Sequence, residues 1–253
     1  MSEVTYDFSG ERFVVTGASS GMGHQITVEL AEAGATVLAI ARRTERLTEL
    51  ENQYPGMIVP GVLDVCNSEK LSEAITSFVA EHGKFHGAVH AAGIRASTPL
   101  RAYDEETART VMDVSFWSGV RLMQIINKKK NSMPGCSSIL FSSVAAHIGE
   151  KSFFAYSAAK SALKVAVRTF AKEIYQNGNR INTISPGWVA TEMTQWANEA
   201  GTTAPKMFDR HLFGTGETQD VSGMVLFLLS DRAKWITGED FIVDGGYLQG
   251  GYN

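Results

Sequence analysis

The stretch Thr16-Gly-Ala-Ser-Ser-Gly-Met-Gly23 decides the fold class of this chain. It follows a short apolar run, Arg12-Phe-Val-Val-Thr16, and precedes a segment in which Ile26, Leu30 and Ala33 recur at helical spacing. Glycines at a strand-to-helix turn let the backbone turn sharply and let its N–H groups approach a pyrophosphate at the helix N-terminus. The stretch therefore predicts the first βα unit of a dinucleotide-binding domain, with a glycine-rich turn that binds no ligand as the alternative.

The glycine spacing in this turn is G-x-x-x-G-x-G rather than the commoner G-x-G-x-x-G. Gly17 permits the sharp turn, Gly21 permits close approach of the backbone to phosphate, and Gly23 permits close packing of the helix on the strand. We assign cofactor contacts in this turn to Gly17, Ser19, Ser20, Gly21, Met22 and Gly23.

Further apolar runs alternate with amphipathic stretches along the rest of the chain. The runs show no alternation of apolar and polar residues, which is typical of parallel strands that are buried on both faces. Seven strands separated by helices predict the α/β class: a single doubly wound Rossmann domain over residues 1–253, with a seven-stranded parallel sheet and right-handed crossovers. The strands after the first are predicted at residues 36–41, 57–63, 87–90, 138–142, 180–185 and 241–243.

The composition excludes several classes of protein. Of the 253 residues, 44% are apolar and 20% are charged, which is ordinary globular usage. The net charge of −4 provides no basic field for nucleic acid or an anionic membrane, and two cysteines cannot build a disulfide framework or a zinc site. The sequence shows neither a signal peptide nor an apolar run of about 20 residues. We therefore expect a cytoplasmic protein without nucleic-acid or membrane partners.

Two arginines follow the second predicted strand, which ends at Ala41. Enzymes that use NAD place an acidic residue about 20 residues beyond the glycine turn, whereas no acidic residue lies between Glu32 and Glu45 here. A carboxylate repels a 2′-phosphate, and a guanidinium binds it through parallel hydrogen bonds. Arg42 and Arg43 therefore favour NADP(H) as the cofactor; two merely solvated arginines are the alternative.

A candidate catalytic group follows the fifth predicted strand. Ser143 lies at the strand end, and Tyr156 and Lys160 come later at a spacing of four residues, which places them on one helical face. A nearby ammonium favours the charged form of a phenol, whose pKa is otherwise about 10. Tyr156 can then exchange a proton with a carbonyl or alcohol oxygen that Ser143 holds by a hydrogen bond. The Y-x-x-x-K spacing alone is a weak signal, and the glycine turn and Ser143 make it a strong one.

With these residues the chain resembles the short-chain dehydrogenase/reductase family over nearly its whole length. Other matching segments are Leu63-Asp-Val65, His90-Ala-Ala-Gly93, Ser185-Pro-Gly-Trp-Val-Ala-Thr191 and Val243-Asp-Gly-Gly246. The resemblance implies that Ser143 orients the substrate oxygen, that Tyr156 transfers the proton, and that Lys160 holds the nicotinamide ribose and lowers the pKa of Tyr156. It further implies cofactor contacts at Asp64, Val65, Ala91, Ala92, Gly93, Pro186, Gly187, Val189 and Thr191, and substrate contacts at His147, Trp188 and Met193.

Two positions depart from the family pattern. The family usually has Asn-Asn-Ala-Gly where this chain has His90-Ala-Ala-Gly93, which alters packing around the central strand. The family's fourth catalytic residue is an Asn that helps to hold a water linking the lysine to solvent, and Ser115 stands in its place. Because Ser115 can also hold a water with its shorter side chain, we assign it as the fourth catalytic residue and expect activity to survive.

Residues 192–216 correspond to the segment that forms the substrate lid in this family. The segment contains Met193, Trp196 and Phe213, which indicate either a partly apolar substrate or a lid packed onto the domain. Arg95, just after Gly93, is expected to be solvated rather than to bind an anionic group. The six histidines lack the spacing of metal ligands, so no metal is expected.

Taken together, the sequence predicts an NADP(H)-dependent oxidoreductase that interconverts a small ketone and a secondary alcohol. The alternatives are a 3-oxoacyl-(acyl carrier protein) reductase, a secondary-metabolite or sugar ketoreductase, and a non-catalytic NADP(H)-binding sensor. An acidic carrier protein requires basic residues beside the site entrance, and Pro134 and Asn177 are not basic, although Lys128-Lys-Lys130 could substitute. Apolar residues on more than one face of the helices predicted at 105–130 and 152–176 indicate a homotetramer or homodimer.

Overall fold

Seven parallel strands form one sheet at the centre of the protein. The computed structural model describes residues 4–194 and 210–250. The strands are β1 (Arg12–Thr16), β2 (Thr36–Ala41), β3 (Ile58–Val62), β4 (Phe85–His90), β5 (Ser132–Phe141), β6 (Arg180–Pro186) and β7 (Asp240–Val243). Their order in the sheet is β3-β2-β1-β4-β5-β6-β7. The order reverses between β1 and β4, and ligands bind at such a switch point, beyond the carboxyl ends of the strands.

Helices cover both faces of this sheet. They are α1 (Gly21–Glu32), α2 (Thr44–Gln53), α3 (Ser68–His82), α4 (Glu105–Met112), α5 (Ser118–Ile126), α6 (Ala145–Ile148), α7 (Phe154–Ile174) and α8 (Thr218–Leu229). Apolar side chains of α1, α2 and α8 form a core against one face, and those of α3, α5 and α7 form a core against the other. The strands are apolar on both faces because both faces are covered.

Side-chain caps fix where two of these helices begin. The side chain of Asn67 accepts a hydrogen bond from the backbone N–H of Lys70 at 3.0 Å, and that of Asp104 accepts one from Thr107 at 2.7 Å. Such caps satisfy backbone donors that the first helical turn leaves unpaired. Helix α1 differs, because the Ser20 side chain at its N-cap makes no capping hydrogen bond.

The sheet confirms the predicted fold class, and the predicted strands lie within two residues of the observed ones, except that β5 begins six residues earlier than predicted, at Ser132. The helix predicted over residues 105–130 is wrong in detail. It is divided into α4 and α5 by the π-helical turn Asp113–Trp117, and α5 ends at Ile126. The apolar pattern continues through this turn, so periodicity alone does not reveal it. No helix within residues 4–194 and 210–250 is long and apolar enough to cross a membrane.

Candidate active site

The glycine turn between β1 and α1 forms one wall of a large cavity. Gly17 has a φ of +74°, which favours glycine, and a Cβ there would lie 2.8 Å from the backbone nitrogen of Ala92. A Cβ on Gly23 would collide with the carbonyl oxygen of Gly17. A Cβ on Gly21 would lie 3.2 Å from the Thr191 side chain, so the segment after β6 rests against the same turn. The turn has this shape because all three positions are glycine.

The cavity measures about 1320 Å³ and runs along the carboxyl ends of the strands. The first backbone N–H groups of α1 border it, without a capping side chain and without an acidic residue in the first helical turn. An anionic pyrophosphate fits this position, because the helix dipole and these N–H groups favour negative charge. The predicted cofactor residues that line the cavity are Gly17, Ser19, Ser20, Gly21, Met22, Gly23, Arg42, Arg43, Asp64, Val65, Ala91, Ala92, Gly93 and Thr191.

Arg43 connects the end of β2 to the glycine turn. Its Nε donates to Ser19 Oγ and its Nη2 to the Ser19 carbonyl oxygen, both at 3.1 Å. Its Nη1 forms an ion pair with Glu192 at 2.7 Å, and Arg46 lies 3.7 Å from the same carboxylate. Arg42 is exposed at the rim of the same cavity. The sequence does not predict Glu192 as a partner of Arg43, because it lies 149 residues further along the chain and no local pattern links the two.

Ser143 and Tyr156 lie together in a second, smaller pocket of about 90 Å³. Ser143 follows β5, and Tyr156 lies in the first turn of α7. The Ser143 Oγ accepts a hydrogen bond from the backbone N–H of Ala145 at 3.2 Å, so its own proton points elsewhere and can be donated. Burial raises the pKa of Tyr156, and hydrogen bonding with Ser143 and the charge of Arg95 act in the opposite direction. With its pKa raised, Tyr156 is a protonated donor at neutral pH.

Lys160 is buried one helical turn beyond Tyr156. Its Nζ donates to the carbonyl oxygen of Phe141 at 2.6 Å and lies 5.7 Å from the centre of the Tyr156 ring. A Cβ on Gly93 would lie 3.3 Å from this Nζ, so the ammonium group adjoins the cavity wall after β4. Burial lowers the pKa of Lys160 to about 8. Burial, Ser143 and the charges of Arg95 and Glu150 shift the pKa of Tyr156 in this structure, and the lowering of that pKa by Lys160 stays a prediction.

Ser115 is completely buried in the π-helical turn. Its Oγ donates to the carbonyl oxygen of Ile94 and accepts from the backbone N–H of Ile94, both at 3.2 Å. A Cβ on Gly93 would lie 3.6 Å from Ser115 Oγ and 3.3 Å from Lys160 Nζ, so Ser115 and Lys160 both lie beside Gly93. Ser115 therefore holds the segment after β4 in place beside Lys160. Single π-helical turns within α-helices are frequent at functional sites.

His90 replaces the first Asn of the family pattern and joins three elements. Its Nδ1 lies 2.8 Å from Thr16 Oγ1 on β1, and its Nε2 lies 3.1 Å from Ser118 Oγ on α5. Complete burial, assisted by the charge of Lys160, lowers the pKa of His90 to about 3, so the ring is neutral. A Cβ on Gly119 would lie 2.9 Å from the His90 ring, which explains the glycine at that position. Thr16, Ser118 and Gly119 therefore accommodate the His90 ring, which is larger than the Asn side chain of the family pattern.

Most of the other predicted residues lie around the smaller pocket, whose lining includes Pro186, Gly187, Trp188, Val189 and Met193. His147 does not lie among the lining residues. Its Nε2 lies 2.9 Å from Asp240 and 3.2 Å from Ser185, so α6 turns this histidine away from the substrate contact that was expected for it. Of the lid expected at 192–216, residues 195–209 lie outside the described residues.

Arg95 is not solvated as the sequence analysis expected. It forms an ion pair with Glu150, and the two side chains are 10% and 17% exposed. Its guanidinium lies 3.6 Å above the centre of the Phe153 ring. Both charged residues line the pocket that holds Ser143 and Tyr156. The sequence did not predict this pair, because its members lie 55 residues apart on two different connections.

Known proteins resemble this chain over most of its length. A family model described as enoyl-(acyl carrier protein) reductase matches residues 17–248. The L-xylulose reductase of Caenorhabditis elegans is 32% identical over 250 residues, which cover 96% of this chain and 97% of that protein. The 3-oxoacyl-[acyl-carrier-protein] reductase of Thermotoga maritima is 30% identical over 243 residues, which cover 94% of this chain and 98% of that protein.

A solved structure shows the same fold. The short-chain type dehydrogenase/reductase from Mycobacterium ulcerans matches with a TM-score of 0.88 and 28% identity, over 96% of this chain and 92% of that one. The family model covers the glycine turn and the positions of Ser143, Tyr156 and Lys160. From the sheet, the site and these similarities, the chain belongs to the short-chain dehydrogenase/reductase family of oxidoreductases.

Proposed function

We propose that this protein is an NADP(H)-dependent oxidoreductase that interconverts a ketone and a secondary alcohol, with Tyr156 as the acid–base. The observation that carries the proposal is the meeting of Ser143 and Tyr156 in one pocket, with Lys160 buried behind them. That pocket shares Met22, Thr191 and Met193 with the large cavity beside the glycine turn. A carbonyl carbon held between the two hydroxyls is therefore adjacent to the space for a dinucleotide.

In the reduction direction, Ser143 and Tyr156 both act on the carbonyl oxygen. The N–H of Ala145 occupies one lone pair of Ser143 Oγ and leaves the hydroxyl proton available for the substrate oxygen. Tyr156 gives its proton to the same oxygen as negative charge develops there. A bound nicotinamide cofactor supplies the hydride. In the oxidation direction Tyr156 must first be deprotonated, because it then accepts the proton of the alcohol.

The chain's own residues suit a dinucleotide that carries a 2′-phosphate. The turn from Gly17 to Gly23 would hold the pyrophosphate, and Asp64 and Val65 would contact the adenine. Arg42 and Arg43 would hold the 2′-phosphate at the end of β2. At the other end, Lys160 would hold the ribose, and Ala91, Ala92, Gly93, Pro186, Gly187, Val189 and Thr191 would surround the nicotinamide portion.

A 3-oxoacyl-(acyl carrier protein) reductase is the second candidate, and the similarity to the Thermotoga maritima enzyme favours it. The residues at positions 134 and 177, where a basic side chain would attract an acidic carrier, are Pro134 and Asn177. A charged pair, Arg95 and Glu150, lines the reaction pocket, which suits a polar substrate better than an acyl chain. These residues favour a small ketone, such as a sugar ketone, over an acyl carrier.

NADPH oxidation, measured with two sets of substrates, tests the proposal. The first set contains small ketones and diketones, and the second is an acetoacetyl thioester. We expect turnover with the small ketones and its loss in Tyr156→Phe. Turnover confined to the thioester would support the second candidate. Binding of NADPH without oxidation by any substrate would indicate a cofactor-binding sensor and contradict the proposal.

We also propose a cytoplasmic homotetramer or homodimer. Trp117 and Phe154 are 50% and 41% exposed, on the π-helical turn and at the start of α7. Large apolar side chains that stay exposed in one chain are covered when copies associate. The two residues lie on the helices that the sequence analysis assigned to a subunit interface.

A further inference from the structure

The ion pair between Arg95 and Glu150 stands inside the reaction pocket rather than on the surface. Arg95 follows β4 by five residues, and Glu150 lies between α6 and α7. Both line the pocket that contains Ser143 and Tyr156, with little of either side chain exposed. Burying charges costs free energy, so an ion pair in a substrate pocket indicates a role in binding the substrate.

Contacts outside the ion pair restrain the side chain of Arg95 and the backbone of Glu150. The guanidinium of Arg95 stacks on the Phe153 ring, and the backbone N–H of Glu150 donates to Ser157 Oγ at 3.2 Å. The backbone N–H of Thr98 donates to the carbonyl oxygen of Ser152 at 2.6 Å, which ties the segment after Arg95 to the segment after Glu150. The pair is therefore pre-organised before a substrate arrives.

The pair lines the same pocket as the two hydroxyls that would hold the reacting oxygen. Arg95 lowers the pKa of Tyr156 and Glu150 raises it, so both charges act on the phenol. Atoms attached to a carbonyl carbon held by Ser143 and Tyr156 would share the pocket of about 90 Å³ with Arg95 and Glu150. A pocket of this size points to a contact between the pair and the carbon adjacent to the carbonyl.

The chemistry of the pair selects among possible groups on that carbon. Guanidinium N–H groups donate and carboxylate oxygens accept, and a hydroxyl group does both. A hydrocarbon would displace water from the two charges and return no hydrogen bond. An anionic group would have to compete with Glu150 for Arg95. A neutral hydroxyl is the group that satisfies both partners.

We propose that Arg95 and Glu150 make the enzyme specific for ketones with a hydroxyl group on the carbon next to the carbonyl. The inference rests on the proposed function, because it concerns the substrate of the same pocket. It identifies the substrates as α-hydroxyketones, which include the open-chain ketoses, and assigns their recognition to two residues outside the Ser143, Tyr156 and Lys160 group.

The test compares two ketones that differ by one hydroxyl group, 1-hydroxybutan-2-one and butan-2-one, with NADPH as reductant. For the unmodified protein, kcat/KM is expected to favour the hydroxyketone by at least about tenfold, since sites built for a hydroxyl reject analogues that lack it. Glu150→Leu and the double variant Arg95→Met/Glu150→Leu, whose side chains offer no hydrogen bond to a hydroxyl, should bring that ratio close to one. The loss should fall mainly on the hydroxyketone, and the ratio of the two kcat/KM values is the readout, because both charges also act on Tyr156 and can change the rate for either ketone. Lys151→Gln, at the exposed neighbouring position, is the control and should keep the full ratio.

The outcomes separate the inference from the proposed function. Reduction of both ketones with a ratio near one in the unmodified protein would overturn the inference and leave the proposed function standing. A variant that lowers kcat/KM equally for both ketones would also overturn it, because a purely structural role predicts that result. The double variant keeps this comparison available if the single variant does not fold, because it leaves no unpaired buried charge. No oxidation of NADPH with either ketone would contradict the proposed function itself.

Discussion

The hydroxyl of Ser115 is bonded to both backbone groups of Ile94, donating to the carbonyl oxygen and accepting from the N–H at 3.2 Å each. These two bonds tie the π-helical turn Asp113–Trp117 to the segment that leaves β4. The single proton of this hydroxyl is used by the Ile94 carbonyl. In this structure Ser115 is therefore a positioning residue, which fixes Gly93 and Ile94 beside Lys160.

Ser115→Ala should weaken both stability and catalysis. Two partly buried backbone groups of Ile94 would lose their partner, and each such hydrogen bond typically contributes about 0.5–1.5 kcal/mol of unfolding free energy. We expect kcat to fall about tenfold as the segment beside Lys160 loosens. Ser115→Asn supplies a donor and an acceptor again and should retain most of the activity. Urea unfolding and steady-state kinetics measure these effects, and an unchanged Ser115→Ala protein would show that the two bonds contribute nothing.

The choice of cofactor should depend on the arginines after β2. We expect kcat/KM to favour NADPH over NADH by at least tenfold, about 1.4 kcal/mol, and Arg42→Ala or Arg43→Ala to remove most of this preference. Glu192 lies 2.7 Å from Arg43, so its carboxylate competes with a 2′-phosphate for the guanidinium. Glu192→Gln should therefore increase the NADPH preference.

The control for this prediction is Glu49→Gln. Glu49 lies 3.8 Å from Arg46 and forms no ion pair with Arg43. Its substitution removes a similar negative charge from the same region. It should leave the ratio of kcat/KM values unchanged. Equal use of NADH and NADPH by the unmodified protein would contradict the cofactor assignment.

Lys160→Met should abolish activity and weaken NADPH binding without lowering stability. Burial lowers the pKa of Lys160 to about 8 from 10.5, so the folded state disfavours its charged form. Between these pH values the unfolded chain binds more protons than the folded one, and this residue therefore makes the unmodified protein more stable as the pH rises from 8 to 10.5. Below pH 8 its buried charge is a net cost, which methionine removes.

Thermal unfolding at pH 7 and pH 10 tests this prediction. At pH 7 the Tm of Lys160→Met should equal or exceed that of the unmodified protein, and the difference should shrink at pH 10. A markedly lower Tm at pH 7 would show that the bond from Lys160 to Phe141 stabilises the fold more than burial of the charge destabilises it.

His90 and Gly119 should be coupled. A Cβ at position 119 would lie 2.9 Å from the His90 ring, so Gly119→Ala should destabilise the protein by about 1–3 kcal/mol. In a His90→Asn background the ring is gone, and the same change should be neutral or stabilising, because Ala exceeds Gly in helix propensity by up to about 1 kcal/mol. A double-mutant cycle by urea unfolding measures the coupling. Additive effects would mean that the two residues do not meet as described.

The parts of the site that the sequence predicted are those encoded in local patterns. The glycine turn is a contiguous stretch at a strand end, and Tyr156 and Lys160 share one helical face. The ion pairs Arg43–Glu192 and Arg95–Glu150 could not be predicted, because their partners meet only when the connections between strands fold together. The family resemblance implies a substrate contact for His147, but the short helix α6 places its ring beside Asp240. The π-helical turn that buries Ser115 could not be predicted, because the apolar pattern of the flanking helices continues through it.

The central claim is that Tyr156 transfers the proton, and the kinetics of Tyr156→Phe with NADPH and 1-hydroxybutan-2-one test it most directly. Reduction requires the protonated phenol, so the unmodified rate should fall as the pH rises through the Tyr156 pKa, and alcohol oxidation should rise over the same range. In Tyr156→Phe, kcat should fall by about 10³-fold, while the Kd for NADPH, measured by fluorescence, changes by less than about threefold. Ser143→Ala should lower kcat by orders of magnitude and move the fall in reduction rate to higher pH, because the hydrogen bond with Ser143 lowers the pKa of Tyr156. A Tyr156→Phe protein with near-normal turnover would contradict the account.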